Sequence, residues 1–206
     1  MGGNAIKGAV RLDKSEYCAL ETKVCDAFAK YGIKAFPVVA YADKSSFGDM
    51  DVLVQTDDYS PSKIACILGA TDVVRNGSVT SMGIPCPQGT FQVDDIGVDS
   101  PEWAEVYFSY NDLGNLMGRI AHKMGFKYGH NGLRYVVRDP DNPSYVVKEI
   151  LVTYDYPIVF DFMGYDYARY WVESFNSLED IFEYVADNPF FDPDIYLLQN
   201  RNRLLS

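Results

Sequence analysis

The stretch SSFGDMDVLV, Ser45 to Val54, constrains this chain more than any other. An apolar run typical of a buried β-strand carries two aspartates, Asp49 and Asp51, one residue apart. Alternation along a strand turns residues i and i+2 to the same side. A strand that starts at Asp49 therefore sets both carboxylates on one face, with Met50 and Val52 on the other. Two close carboxylates repel, and one takes up a proton unless a cation neutralises them. A strand that starts only at Met50 would leave Asp49 as a solvated turn residue. The first arrangement predicts a divalent-metal site, since Mg²⁺ prefers carboxylate oxygens and fills its remaining positions with water and substrate phosphate.

Around this stretch the chain reads as an ordinary globular protein. Its 206 residues suffice for one compact domain or two small ones. No apolar run is long enough to span a bilayer, and the first residues lack a secretory pattern. Cys18, Cys25, Cys66 and Cys86 have no paired metal-ligand spacing; the seven-residue step from Cys18 to Cys25 suggests two buried, reduced thiols on one helix face. A cytoplasmic setting with no membrane contact is expected. His122 and His130 are the only histidines, which excludes a histidine-rich metal centre.

Hydrophobic periodicity predicts a helix from Asp13 to Tyr31 capped by Ser15, strands at Lys34–Ala42 and Met50–Gln55, and a helix from Pro61 to Leu68. Strands at Ser78–Ile84 and Thr90–Val98 follow. This order implies a mixed β-sheet with helices on one face. Past Asp99-Ser100-Pro101 the pattern becomes mainly helical: Glu102–Tyr110, Asp112–Met124, Tyr156–Met163 and Ser177–Ala186. A hairpin pairs Leu133–Val137 with Val146–Val152. The expected class is α+β, with domains at residues 1–99 and 100–206.

A third acid should approach Asp49 and Asp51 from a neighbouring strand. Asp94, in Phe91-Gln92-Val93-Asp94, interrupts a run of strand formers without any turn chemistry. The net charge of −11 opposes nucleic-acid binding, but its distribution is uneven. Leu113 to Arg138 contains no acid and carries Arg119, Lys123, Lys127, Arg134 and Arg138. Asp155 to Asp194 is densely acidic, with Arg169 as its one strong base. The basic stretch reads either as a phosphate contact or as an ordinary solvated surface.

Lys44 to Val54 resembles the metal-binding strand of the nucleotidyltransferase superfamily, closest to the family X (β-like) DNA polymerases, in which a lysine precedes G-D-x-D and an apolar strand. Tyr107-Phe108-Ser109 resembles the segment beside the incoming sugar in that family, and the helix through Arg119 to Gly125 its thumb. Short proteins of this kind occur in tailed phages, so a phage origin is expected with the resemblance.

The resemblance implies a nucleotidyltransferase palm followed by a thumb-like region with a β-hairpin. It also implies Mg²⁺- or Mn²⁺-dependent transfer from a nucleoside triphosphate to a hydroxyl acceptor by a two-metal mechanism. A nucleic acid is the expected acceptor, with DNA favoured. Asp49, Asp51 and Asp94 would be catalytic metal ligands. Lys44, Ser45, Ser46, Gly48, Tyr107, Phe108 and Asn115 would bind the nucleotide, with Gly114 the alternative to Asn115 at the nascent base pair. Arg119, Lys123, Lys127 and Arg134 would bind nucleic acid.

Val39-Ala40 stand where the family carries a Gly-Ser phosphate cradle, and Asp43 would repel a triphosphate. These departures leave open a catalytically degenerate fold that serves as a nucleic-acid- or protein-binding module.

Overall fold

The structure, a computed structural model, describes residues 4–55 and 60–200. The chain is α+β and divides into two compact units. One comprises the residues up to Val38 together with Asp43–Pro101; the other comprises Val39–Ala42 and the residues from Glu102 onward.

The first unit is organised by a five-stranded mixed sheet. Its strands are β2 (Ala35–Pro37), β4 (Asp49–Gln55), β5 (Asp72–Asn76), β6 (Val79–Cys86) and β7 (Gly89–Val98), in the order β2-β4-β7-β6-β5. Only β4 and β7 run parallel. Their register sets Asp49 opposite Gln92, Met50 opposite Val93 and Asp51 opposite Asp94. By strand alternation, Met50, Val52, Phe91 and Val93 line one face and are buried. Asp49, Asp51, Gln92 and Asp94 share the other, which turns apolar further along at Leu53 and Ile96.

Helix α1 (Lys14–Lys30) buries Tyr17, Leu20, Val24 and Phe28, a stripe at helical spacing. Its cap is Asp13, whose side chain accepts from the Glu16 N–H while Glu16 reaches back to the Asp13 N–H. Ser15, the cap expected from sequence, lies inside the helix. Cys18 is exposed and Cys25 half-buried, because both flank the apolar stripe. The expectation of two buried thiols is therefore corrected. A two-stranded ribbon pairs β1 (Leu12–Asp13) with β3 (Ser46–Phe47), and α2 (Pro61–Leu68) packs against β6.

The expected strand at Lys34–Ala42 stops at Pro37. Beyond it the Val39 carbonyl accepts from the Tyr110 N–H and the Ala42 N–H donates to the Phe175 carbonyl, so Val39–Ala42 belongs to the second unit. β5 is an additional strand, joined to β6 by the two-residue turn Gly77-Ser78, where Gly77 takes a φ of 62°.

The second unit holds α3 (Pro101–Phe108), α4 (Leu113–Lys123), α5 (Tyr156–Phe162) and α6 (Leu178–Ala186) beside an antiparallel sheet ordered β10-β9-β8. The strands are β8 (Phe126–Gly129), β9 (Gly132–Arg138) and β10 (Val146–Thr153). The hairpin expected from sequence gains β8 as a third strand. A π-helical turn spans Arg169–Glu173. The core is unusually aromatic, built from Tyr110, Tyr128, Tyr156, Phe160, Tyr165, Tyr170, Phe175 and Tyr184 around Leu113, Met117 and Ile120. No helix among the described residues is long and apolar enough to cross a membrane.

Candidate carboxylate site

In the first unit β4 begins at Asp49, so both aspartates of the G-D-x-D stretch lie within the strand and on one face. The buried Gly48 links β3 to β4 immediately before them. Asp94 stands beside Asp51 on the adjacent parallel strand. Asp49, Asp51 and Asp94 are each half-buried. Burial first, and then the charges of Asp49 and Asp94, push the Asp51 carboxyl up to about 7, while Lys44 pulls it down. Burial also raises Asp94; hydrogen bonds from Ser81 and Gln92 oppose that shift, and Asp49 adds to it.

Both oxygens of Asp94 accept from the Gln92 Nε2, at 2.9 and 3.0 Å. Among the described residues, no three His, Cys, Asp or Glu side chains stand together as a ready-made metal-binding group. The donor set still has the chemistry a hard divalent cation requires: three carboxylates coupled through space on one sheet face, one of them driven toward neutrality. In donor type, though not as an assembled group, Asp49, Asp51 and Asp94 are the oxygen ligands that Mg²⁺ or Mn²⁺ would take.

Cationic groups flank the carboxylates. The Lys44 ammonium lies 4.9 Å from the centre of the Phe47 ring, which stacks on Tyr17 at 3.9 Å. Burial holds the Lys44 pKa below its usual value, with Arg11 acting in the same direction and Asp49 and Asp51 against it. Arg11 donates through Nε to Ser46 Oγ at 3.0 Å and through Nη2 to the Ser46 carbonyl at 3.1 Å. Ser45 and Ser46 are exposed.

Arg11 is a candidate that sequence reasoning missed. It sits 33 positions before Lys44 in the numbering, and only the pairing of β1 with β3 brings the two together. Gln92 was missed too: inside a strand, a lone glutamine reads as an unremarkable polar position.

The remaining candidates lie in the second unit. Tyr107 and Phe108 close α3 with their rings 5.2 Å apart, and the Tyr107 hydroxyl donates to Asn115 Oδ1 at 3.2 Å. His130, at the turn between β8 and β9, stacks on Phe108 at 5.5 Å and extends this aromatic surface. Asn115 is exposed on α4. Gly114 is buried, and a Cβ there would stand 2.2 Å from the Tyr107 carbonyl oxygen, so its place is set by packing. Of the two candidates for base contact, Asn115 is the accessible one. Tyr110 and Asn111, between the helices, both take φ of 61°, a strained conformation for a tyrosine. The Tyr110 N–H bond to Val39 at 2.7 Å and its hydroxyl contact with Ser174 at 2.9 Å hold that turn.

The basic stretch is less open than its sequence implies. Lys123 is buried, with its ammonium donating to the Asn200 carbonyl at 3.3 Å. Lys127 pairs with Glu149 at 2.9 Å across the sheet. The Arg138 guanidinium donates to the Pro143 carbonyl and stands 3.4 Å from His122 Nε2. Arg119 and Arg134 are half-buried. The fold thus sets Glu149 of β10 against Lys127, and main-chain carbonyls against Lys123 and Arg138.

No protein-family model matches the chain, and no curated protein matches it.

Proposed function

We propose that the chain is a metal-dependent nucleotidyltransferase of the palm-and-thumb type, adding nucleotides from a nucleoside triphosphate to the 3′-hydroxyl of a nucleic acid. The observation that carries this reading is the in-register placement of Asp51 and Asp94 on adjacent parallel strands, with Asp49 on the same face. Structural strands rarely set three acids together, because partly buried like charges destabilise a fold.

Asp49 and Asp51 would hold both ions together with the triphosphate, and Asp94 would hold only the catalytic ion and orient the acceptor hydroxyl. Bound there, the ions supply charge stabilisation to the entering and leaving oxygens of an in-line displacement. Lys44 and Arg11, the latter fixed by Ser46, are the groups in this unit suited to triphosphate charge. Tyr107, Phe108 and Asn115 would serve the sugar and base, and Arg119 and Arg134 the nucleic-acid backbone. Lys123 and Lys127 have lesser parts, since each is already engaged within the unit.

The test is a labelled nucleoside triphosphate with Mg²⁺ or Mn²⁺ and a primed DNA duplex. A labelled, extended primer that Asp51→Asn eliminates is the expected result. A wild-type chain that labels no duplex, single strand or RNA, yet binds DNA with salt-dependent affinity, supports the binding-module alternative instead.

A further inference from the structure

We propose that Gln92 is the positioning residue of the carboxylate site, and that it couples the chain segment at Ala5 and Ile6 to Asp94. The inference rests on the transfer reading above and goes beyond it, because Gln92 touches no substrate. It is only 2% exposed.

The side chain is fully employed in two directions. Its Oε1 accepts from the Ala5 N–H at 2.9 Å and the Ile6 N–H at 3.0 Å. Its Nε2 donates to both oxygens of Asp94 at 2.9 and 3.0 Å. These partners fix which end of the amide is which. Turned over, the NH₂ would face two N–H donors and the oxygen would face a carboxylate, two repulsive contacts in a buried place. The orientation of Asp94 is therefore tied to the order of the Ala5–Ile6 segment.

That segment has its own anchors. Ile6 is buried, beside the place where a Cβ on Gly83 would stand, and Gly83 is paired with Gln92 across β6 and β7. The Val10 N–H donates to the Thr90 carbonyl at 2.9 Å. The chemistry of the link is also informative. A lysine or arginine in its place would orient Asp94 equally well but neutralise it and compete with a divalent cation. A neutral amide orients the carboxylate and leaves its full charge for the ion.

The test uses the full chain as wild type, Gln92→Met and Gln92→Asn, with Asp51→Asn as the inactive control. The readouts are kcat and the nucleoside triphosphate KM on a primed duplex, the thermal midpoint, and hydrogen exchange at the Ala5 and Ile6 amides. For Gln92→Met the expected result is kcat lower by about 10- to 100-fold, as for loss of a residue that orients a metal ligand, with KM within about twofold. Exchange at Ala5 and Ile6 should rise by about tenfold or more.

A folded Gln92→Met chain with wild-type kcat overturns the positioning role while the transfer reading stands. If the methionine variant does not fold, Gln92→Asn decides: its shorter amide should lower kcat with KM unchanged, and wild-type kcat there overturns the proposal. A wild-type chain that yields no product defeats the transfer reading, and Mn²⁺ titration followed by paramagnetic resonance then decides the coupling. Mn²⁺ affinity about tenfold weaker in Gln92→Met supports it; equal affinity, or none in either protein, overturns it.

Discussion

The two units bury different kinds of polar group, carboxylates in the first and phenol hydroxyls in the second. In the second, tyrosine hydroxyls inside the aromatic core reach main-chain carbonyls: Tyr170 donates to Val106, Tyr184 to Asp166 at 2.9 Å and Tyr156 to Trp103 at 2.5 Å. Burial raises each phenol far above its ordinary pKa, so all three stay neutral donors. In the first unit, three acids crowd one sheet face, their charges acting on one another more than on any cation. Polar groups that are satisfied stabilise a fold; acids left in mutual repulsion raise its energy. On the proposed function, the contrast sets a unit held by satisfied hydroxyls beside one whose crowded acids would serve the transfer chemistry.

Asp51→Asn should break the comparison most visibly. It is expected to lower nucleotide transfer by about a thousandfold or more while raising the thermal midpoint of the metal-free protein, since it removes a destabilising charge. A calorimetric scan beside the primer assay checks both. Loss of activity together with loss of stability would mean that Asp51 is a structural residue after all.

Tyr170→Phe should do the reverse. The Tyr110 N–H goes to Val39, so the Val106 carbonyl at the end of α3 has no helical partner and depends on the Tyr170 hydroxyl. Its loss is expected to cost about 1–3 kcal/mol in denaturant unfolding. An unchanged midpoint would show that the carbonyl finds another donor.

The pH dependence sharpens the same contrast. The Asp51 carboxyl rises from 3.8 to about 7 on folding. Between those values the folded chain keeps a proton that the unfolded chain has lost, so raising pH destabilises the metal-free protein across this window. Thermal scans from pH 4 to 7 should show a falling midpoint, and Mn²⁺ should restore it most strongly near pH 7. A midpoint that rises with pH and ignores Mn²⁺ would contradict the proposed site.

Tyr128→Phe is the smallest of these effects. The Tyr128 hydroxyl is buried without a hydrogen-bond partner among the described residues. Its removal should be neutral or stabilise the chain by up to about 1 kcal/mol by urea titration; destabilisation would reveal a partner.

What the sequence disclosed follows from which interactions are local. The period of two in Asp49-Met50-Asp51 is a property of one strand, so their shared face is legible in the residue order alone. The segment Phe91-Gln92-Val93-Asp94 reads as a strand, but its register against β4 depends on a parallel pairing that sequence does not encode locally. Arg11 and Lys44 meet only through the β1–β3 ribbon. The burial of Lys123 and the pairing of the exposed Lys127 were not legible in the sequence, because their partners, Asn200 and Glu149, lie 77 and 22 residues away. Val39–Ala42, expected inside a strand of the first domain, is held instead by Tyr110 and Phe175 of the second unit. Cys18 and Cys25 share a helix face, but the apolar stripe beside them decides which face is covered.

The most direct measurement counts Mn²⁺ ions bound to the full chain, by paramagnetic resonance, with a nucleoside triphosphate analogue that cannot be cleaved. Two protein-dependent ions per chain, both lost in Asp51→Asn, is the result expected if the acidic sheet face is a nucleotidyl-transfer site. Mn²⁺ binding no greater than that of the analogue alone would contradict it.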